Sequence, residues 1–369
     1  MLKQTFYIWR CGWNSAFIIL LVITLTKTGS ITSQAQEELS EKKPIFPLWD
    51  GRELIASYAQ RVNLPATKTL DLGGGVKLEL VLIPAGKFIM GTPEHEKPLV
   101  GQIMVGISGG ILVLAVLLLL VHTRRKRTRL QFSMAFMLLL TFVASLGVWG
   151  GVRWHEALKH LGEFENEHPA HQVTLTQPFY MGKYEVTQNE YQQVMGTNPS
   201  HFKGKDNPVE TVSWDDAQDF LKKLTEQIKQ SMRLPTEAEW EFACRAGTKT
   251  AYYSGDTDQD LDRVAWNYAN SKNIAHPVGQ KEANTFGLYD IHGNVWQWCL
   301  DWYGEDYYGK SEAENPQGPE QGALRLLRGG SWVTLPMGCH SAHRSRDDPV
   351  NRDDSFGFRV TLVPAFRTP

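Results

Sequence analysis

Apolar and polar positions follow several distinct rhythms along this chain, and each predicts a different element. A short apolar run, Ser15–Leu25, follows a basic start at Lys3 and Arg10 and precedes the small-x-small site Ser33-Gln34-Ala35. This pattern predicts an export signal over residues 1–36, either cleaved or kept as a signal anchor. Residues 37–74 read as a polar linker with one short helix. Asp50-Gly-Arg-Glu53 resembles a capping box, with Leu54, Ile55, Tyr58 and Val62 falling on one side after it. Val76–Met90 has the alternation of a β-hairpin around Pro84-Ala85-Gly86. Val173–Thr176 and Phe179–Val186 read as strands. Thr187/Glu190, Ser213/Asp216 and Thr236/Glu239 have capping-box spacing and open helices. Trp214, Ala217, Phe220, Leu221, Leu224 and Ile228 recur at helical spacing and predict a core-facing stripe, while Gly247 ends the helix begun at Thr236. Beyond it, Gly, Asn, Asp and Trp dominate and periodic signals fade. The expected class is α+β with little regular structure.

Two further runs break this pattern. Leu99–Val121 and Leu130–Val152 each have 23 residues and no charge, long enough to cross a bilayer. Buried soluble helices are the alternative, although such helices normally keep a polar face. Between the runs lie Arg124, Arg125, Lys126, Arg127 and Arg129. The positive-inside rule keeps such a loop cytoplasmic, which leaves both flanks outside. The topology agrees with an exported N-terminus. The expected organisation is a folded domain begun at 75–96, interrupted by a transmembrane hairpin at 97–162, and completed at 163–364. The expected location is the membrane, with the main domain extracytoplasmic and the lipid bilayer as one partner.

Composition narrows the function. The chain has 369 residues and a formal net charge of −2, so no global field draws it to nucleic acid. Its four cysteines are too few for a disulfide scaffold. Cys11 lies in the leader and leaves Cys244, Cys299 and Cys339. No P-loop, dinucleotide glycine fingerprint or G-x-S-x-G elbow is present.

The most distinctive stretch is Asn284–Trp298, NTFGLYDIHGNVWQW. No helix or strand period fits it. Gly287 and Gly293 permit turns that other residues resist. Asp290, Asn294 and Gln297 set side-chain oxygens beside carbonyls freed by those turns, the material of a calcium site or of a tight turn that satisfies its own backbone. Together with RLPTEAEWEFACRAG (Arg233–Gly247), RGGSWVTLPMGCHSAHR (Arg328–Arg344) and FGFRV (Phe356–Val360), it resembles the formylglycine-generating enzyme, or sulfatase-modifying factor, family. The resemblance covers Gly75–Gly91 and about 163–363, and implies a C-type-lectin-like fold.

It also implies a site. Family members that oxidise a substrate cysteine to formylglycine hold copper(I) between two cysteines five residues apart, the first following a GGS-aromatic-x run. Here that run is Gly329–Val333, Thr334 stands at the first cysteine, and Cys339 matches the second. Copper(I) prefers soft thiolate, for which a hydroxyl is a poor substitute. Ser331 matches a family active-site serine. Cys339, His340 and His343 could form another metal-binding cluster, or a plain surface turn. For calcium, Asp290 and Gln297 match side-chain ligands, and Gly293 and Val295 match carbonyl ligands. The family usually has Glu at the position of Gln297, so one charge is lost. A second calcium site would begin near Asn267 and Tyr268, but no clear carboxylate follows. Family members often have a cysteine at Cys244, sometimes disulfide-bonded, and Cys299 is the partner left for it.

Three functions follow as expectations. One is oxygen-dependent oxidation of a cysteine in a protein or peptide substrate such as a sulfatase, with Cys339 as the redox thiol and Ser331 positioning. Another is a metal-dependent oxidoreductase built on Cys339, His340 and His343. The third is a non-catalytic lectin-like module that binds protein or glycan.

Overall fold

Asp50 opens a turn rather than a helix. Its Oδ1 accepts the amides of Arg52 and Glu53, and helix α1 (Ile55–Arg61) begins after it with no side-chain cap. The computed structural model describes residues 46–93 and 166–364, all within one compact unit, Phe46–Ala365. The predicted export signal, both predicted spans and the basic loop lie outside the described residues. Among the described residues no helix is long and apolar enough to cross a membrane.

Strand β1 (Thr67–Gly73), inside the predicted linker, pairs antiparallel with β2 (Val76–Ile83). The expected hairpin of β2 with β3 (Gly86–Met90) does not form. Both edges of β2 are already taken, by β1 and by β5 (Phe179–Gly182), so β3 turns away after Pro84 and pairs with β4 (His171–Leu175). Met90 lies opposite His171 in that pair, and the Thr92 amide donates to the Glu167 carbonyl at 3.2 Å. The two flanks of residues 94–165 therefore meet at a single point on the domain.

Three of the four following helices start where the capping spacing predicts. They are α2 (Gln188–Met195), α3 (Trp214–Ile228) and α4 (Glu237–Arg245), each with a reciprocal capping box. The fourth, α5 (Asp258–Val264), has the same device in Thr257 and Asp260. Between α3 and α4 lies β6 (Met232–Arg233), and later come β7 (Trp296–Trp302), β8 (Arg325–Arg328), β9 (Ser345–Asp347), β10 (Phe356–Phe358) and β11 (Thr361–Leu362). One sheet runs β1-β2-β5-β11-β6, and a second runs β10-β7-β8-β9 with β10 parallel to β7. The predicted stripe on α3 buries Ala217, Phe220, Leu221 and Leu224 against the first sheet and the aromatic rings of Tyr191 and Phe358.

Asn284–Trp298 joins the end of α4 to β7. The Asn284 amide donates to the carbonyls of Ala243 and Cys244 at the end of α4, and its oxygen accepts the amides of Phe286 and Leu288. One side chain thus satisfies a helix C-terminus and folds the turn after it. Leu288, Ile291, Val295 and Trp298 are fully buried, and the stretch ends as β7.

Candidate functional site

The loop from Gly329 to Arg344 is held from below by Arg328. This guanidinium donates to the carbonyls of Ser341, Ala342 and His343, and pairs with Glu241 at 2.6 Å. Arg245 takes the other oxygen of Glu241, and Arg344 grips Glu237 with two hydrogen bonds. All these groups are buried, so each charge depends on its partner.

At the loop's start, Ser331 and Thr334 are tied together. The Thr334 Oγ1 accepts the Ser331 amide at 3.0 Å and lies 2.9 Å from the Ser331 Oγ. The hydroxyl at the position of the family's first cysteine therefore closes a turn. Cys339 ends a short 3-10 helix, Pro336–Cys339, and is fully buried. Its sulfur packs so closely on Gly330 that a Cβ there would lie 2.4 Å away. Burial pushes the thiol up to about 12, so it is protonated at neutral pH. These residues do not fit a two-thiolate copper(I) site.

His292, which the motif hides between Ile291 and Gly293, holds this loop in place. Its Nδ1 donates to the Cys339 carbonyl at 2.7 Å, while its Nε2 accepts the Tyr253 amide. Burial drives its pKa down to about 3, consistent with a neutral ring in that role. The Cys244 sulfur faces His292 and Ser341. Cys244, Cys299 and Cys339 are all free, so the Cys244–Cys299 pairing is not made. Cys299 instead points its sulfur toward the Gln297 carbonyl.

The expected calcium ligands are all buried. Asp290 Oδ2 accepts the Gly279 amide at 2.6 Å, and its Oδ1 has no hydrogen-bond partner among the described residues. Gln297 is committed elsewhere. Its oxygen accepts from Trp240 Nε1 and Arg359 Nε, and its amide donates to the Asp290 carbonyl. The Arg359 guanidinium also takes the carbonyls of Gly182 and Tyr289. The side chains of the set thus offer a cation one open oxygen, on Asp290, with a guanidinium close by. Gly293 has φ +73° and a Cβ there would sit 2.2 Å from the Trp266 carbonyl, so that turn accepts only glycine.

His340 and His343 do converge, but on a carboxylate rather than on Cys339. Glu167, from the described flank before β4, presents Oε1 3.4 Å from His340 Nε2 and 3.4 Å from His343 Nδ1. Nothing in the sequence joins Glu167 to the histidines. Only the β3–β4 pairing and the Arg328-gathered loop bring them together.

A family model described as "Sulfatase-modifying factor enzyme 1-like domain" matches residues 148–363. The chain belongs to this family. The chaperone protein LppX of Paenibacillus barcinonensis is 33% identical over 238 residues, 51% of this chain and 81% of that protein. The formylglycine-generating enzyme of Streptomyces coelicolor is 36% identical over 167 residues, 41% of this chain and 51% of that enzyme. The chain spans half or less of several other curated relatives that it matches. Among solved structures, Treponema denticola variable protein 1 superposes with a TM-score of 0.60 at 26% identity, over 81% of this chain and all of that one. The mixed helix and sheet architecture is thus the family's.

Inside this family scaffold, Asp301 on β7 accepts the Glu237 amide at the start of α4. Burial and the Glu237 carboxylate push Asp301 up to about 8. A carboxyl with a raised folded pKa binds its proton more tightly when folded. Its stabilisation is complete below about pH 4 and is lost as pH rises through about 8. The expected result is that the melting-temperature difference, wild type minus Asp301→Asn, falls from about pH 5 to about 8 and levels off above it, in buffers on the order of 0.1 M salt. A flat difference would place the Asp301 proton elsewhere.

Proposed function

We propose that this domain recognises an extended polypeptide segment at loop 331–339, where the family handles its substrate cysteine, without the two-thiolate copper oxidation. One observation carries this reading. Tyr268, Val333, Leu335 and Met337 are 55%, 45%, 47% and 40% exposed, and they surround a loop whose Ser331 and Thr334 hydroxyls already bond to each other. The Tyr268 amide donates to the Thr334 carbonyl, which fixes that ring beside the loop. An apolar cluster of this kind on a polar surface marks a docking site. Beside it, the protonated Cys339 thiol lacks a second sulfur.

The domain stands outside the cytoplasm in this reading, carried by the apolar runs 99–121 and 130–152, with Arg124–Arg129 inside. The meeting of Thr92 and Glu167 supports this, because an inserted hairpin needs exit and return at one place. A sulfatase-type protein is the substrate class that the family suggests.

The test uses the full chain in detergent, copper(I), air and a fluorescent Cys-x-Pro-x-Arg peptide. Anisotropy is expected to show binding that Leu335→Asp with Met337→Asp weakens by at least about tenfold. Mass spectrometry is expected to show the peptide cysteine unoxidised. Binding no better than that of a scrambled peptide would overturn the docking reading. Formylglycine that disappears in Cys339→Ser would overturn the other half and restore the oxidase.

A further inference from the structure

We propose that Glu167, His340 and His343 bind a divalent first-row transition metal, zinc(II) or iron(II), through Glu167 Oε1, His340 Nε2 and His343 Nδ1. The proposal is independent of peptide docking and assigns these histidines a role apart from Cys339.

The geometry carries it. The three donor atoms lie within 4.8 Å of one another, and both nitrogens stand 3.4 Å from the same carboxylate oxygen. That separation is long for a charge-assisted hydrogen bond, which runs about 2.7–2.9 Å. It equals the span between two ligands of a tetrahedral ion with bonds of about 2.0–2.1 Å, roughly 3.3–3.4 Å. The Glu167 Oε1 and His343 Nδ1 have no hydrogen-bond partner of good geometry among the described residues, though both are buried. Buried polar atoms are normally satisfied, so such a pair needs an explanation.

The surroundings hold the donors in place. The Thr92 hydroxyl donates to Glu167 Oε2 at 2.6 Å, which leaves Oε1 aimed at the imidazoles. A hydrogen bond on the free oxygen of a ligating carboxylate is the usual outer support of a metal site. Arg328 fixes the carbonyls of Ser341, Ala342 and His343 in the histidine turn, and the two rings stand 5.4 Å apart at 70°. Glu167 is wholly buried, whereas the histidines are 9% and 8% exposed. Two imidazoles and one carboxylate with an open position are the donor set of catalytic zinc and of non-haem iron(II) centres.

The experiment strips the full-length chain of metal in detergent. Zinc(II) is then titrated anaerobically against a chromophoric chelator, with cobalt(II) as a spectroscopic probe and iron(II) in parallel. One tight equivalent is expected, weakened at least about 100-fold in His343→Ala and in Glu167→Gln, and about 10- to 100-fold in Thr92→Val. Because a ligand variant could fail to fold, the wild type supplies a second readout. The His340 and His343 ring nitrogens should shift in NMR as zinc is added. No stoichiometric metal, binding unchanged in all three variants, or an absence of shifts at these rings would each overturn the site.

Discussion

Arg328→Met is expected to destabilise the domain by about 3–5 kcal/mol, because it leaves buried charge without its partner. Arg328 is fully buried on β8. Its guanidinium serves Glu241 and three consecutive carbonyls, those of Ser341, Ala342 and His343. Methionine keeps much of the volume but donates nothing. Glu241 would retain Arg245, which is pledged also to the Gly91 carbonyl. Three buried carbonyls would lose a donor, and each unsatisfied group costs about 1–3 kcal/mol. The surrounding pairs could relax to recover part of this, so the cost should fall below the simple sum. The control is Arg352→Met, whose pair with Asp216 is exposed and should be worth under about 1 kcal/mol. Urea unfolding followed by tryptophan fluorescence measures both. A midpoint shift in Arg328→Met no larger than in the control would mean that the loop is not held by this guanidinium.

The same residues explain what the sequence could and could not convey. The helix starts at Thr187, Ser213 and Thr236 were legible from a hydroxyl and a carboxylate three apart, because capping is local chemistry. Thr257/Asp260 carried the same signature and was lost among the Gly, Ser and Asp around it. The turn at Pro84–Gly86 was legible, but not its consequence. Which strand pairs with β3 is decided by the edges of β2, and both are filled by partners from elsewhere in the chain. The site was half legible. Residue types named Cys339, Ser331, His340, His343 and Asp290, yet no spacing rule reaches from Glu167 to His343. Nor could the sequence tell that the Gln297 oxygen would be claimed by Trp240 and Arg359. Composition shows which donors exist, and only the fold assigns them.

Thr334→Cys should turn a chain that retains no copper(I) against a mild chelator into one that retains a single ion. The position follows the GGS-aromatic-x run, and its present hydroxyl lies on the Ser331 amide and hydroxyl. A thiol is a poor acceptor, so the turn should loosen slightly while gaining a soft ligand. The methyl group of Thr334 also fills the space beside Gly338, and its loss gives the loop room to bring the two sulfurs together. Cys339 resists deprotonation in the wild type, with its thiol near 12. Copper(I) binding to the variant must therefore displace both thiol protons. Apparent affinity should rise roughly 100-fold per pH unit between about pH 6 and 8, one factor of ten for each proton released. Competition with a chromophoric copper(I) chelator across that range measures the slope. Adding Cys339→Ser should abolish retention, which separates this site from the histidines beside Glu167. Equal retention by wild type and variant, or retention indifferent to Cys339, would mean that the two positions cannot converge. Loop shape, and not one missing sulfur, would then be what keeps copper(I) from these two positions.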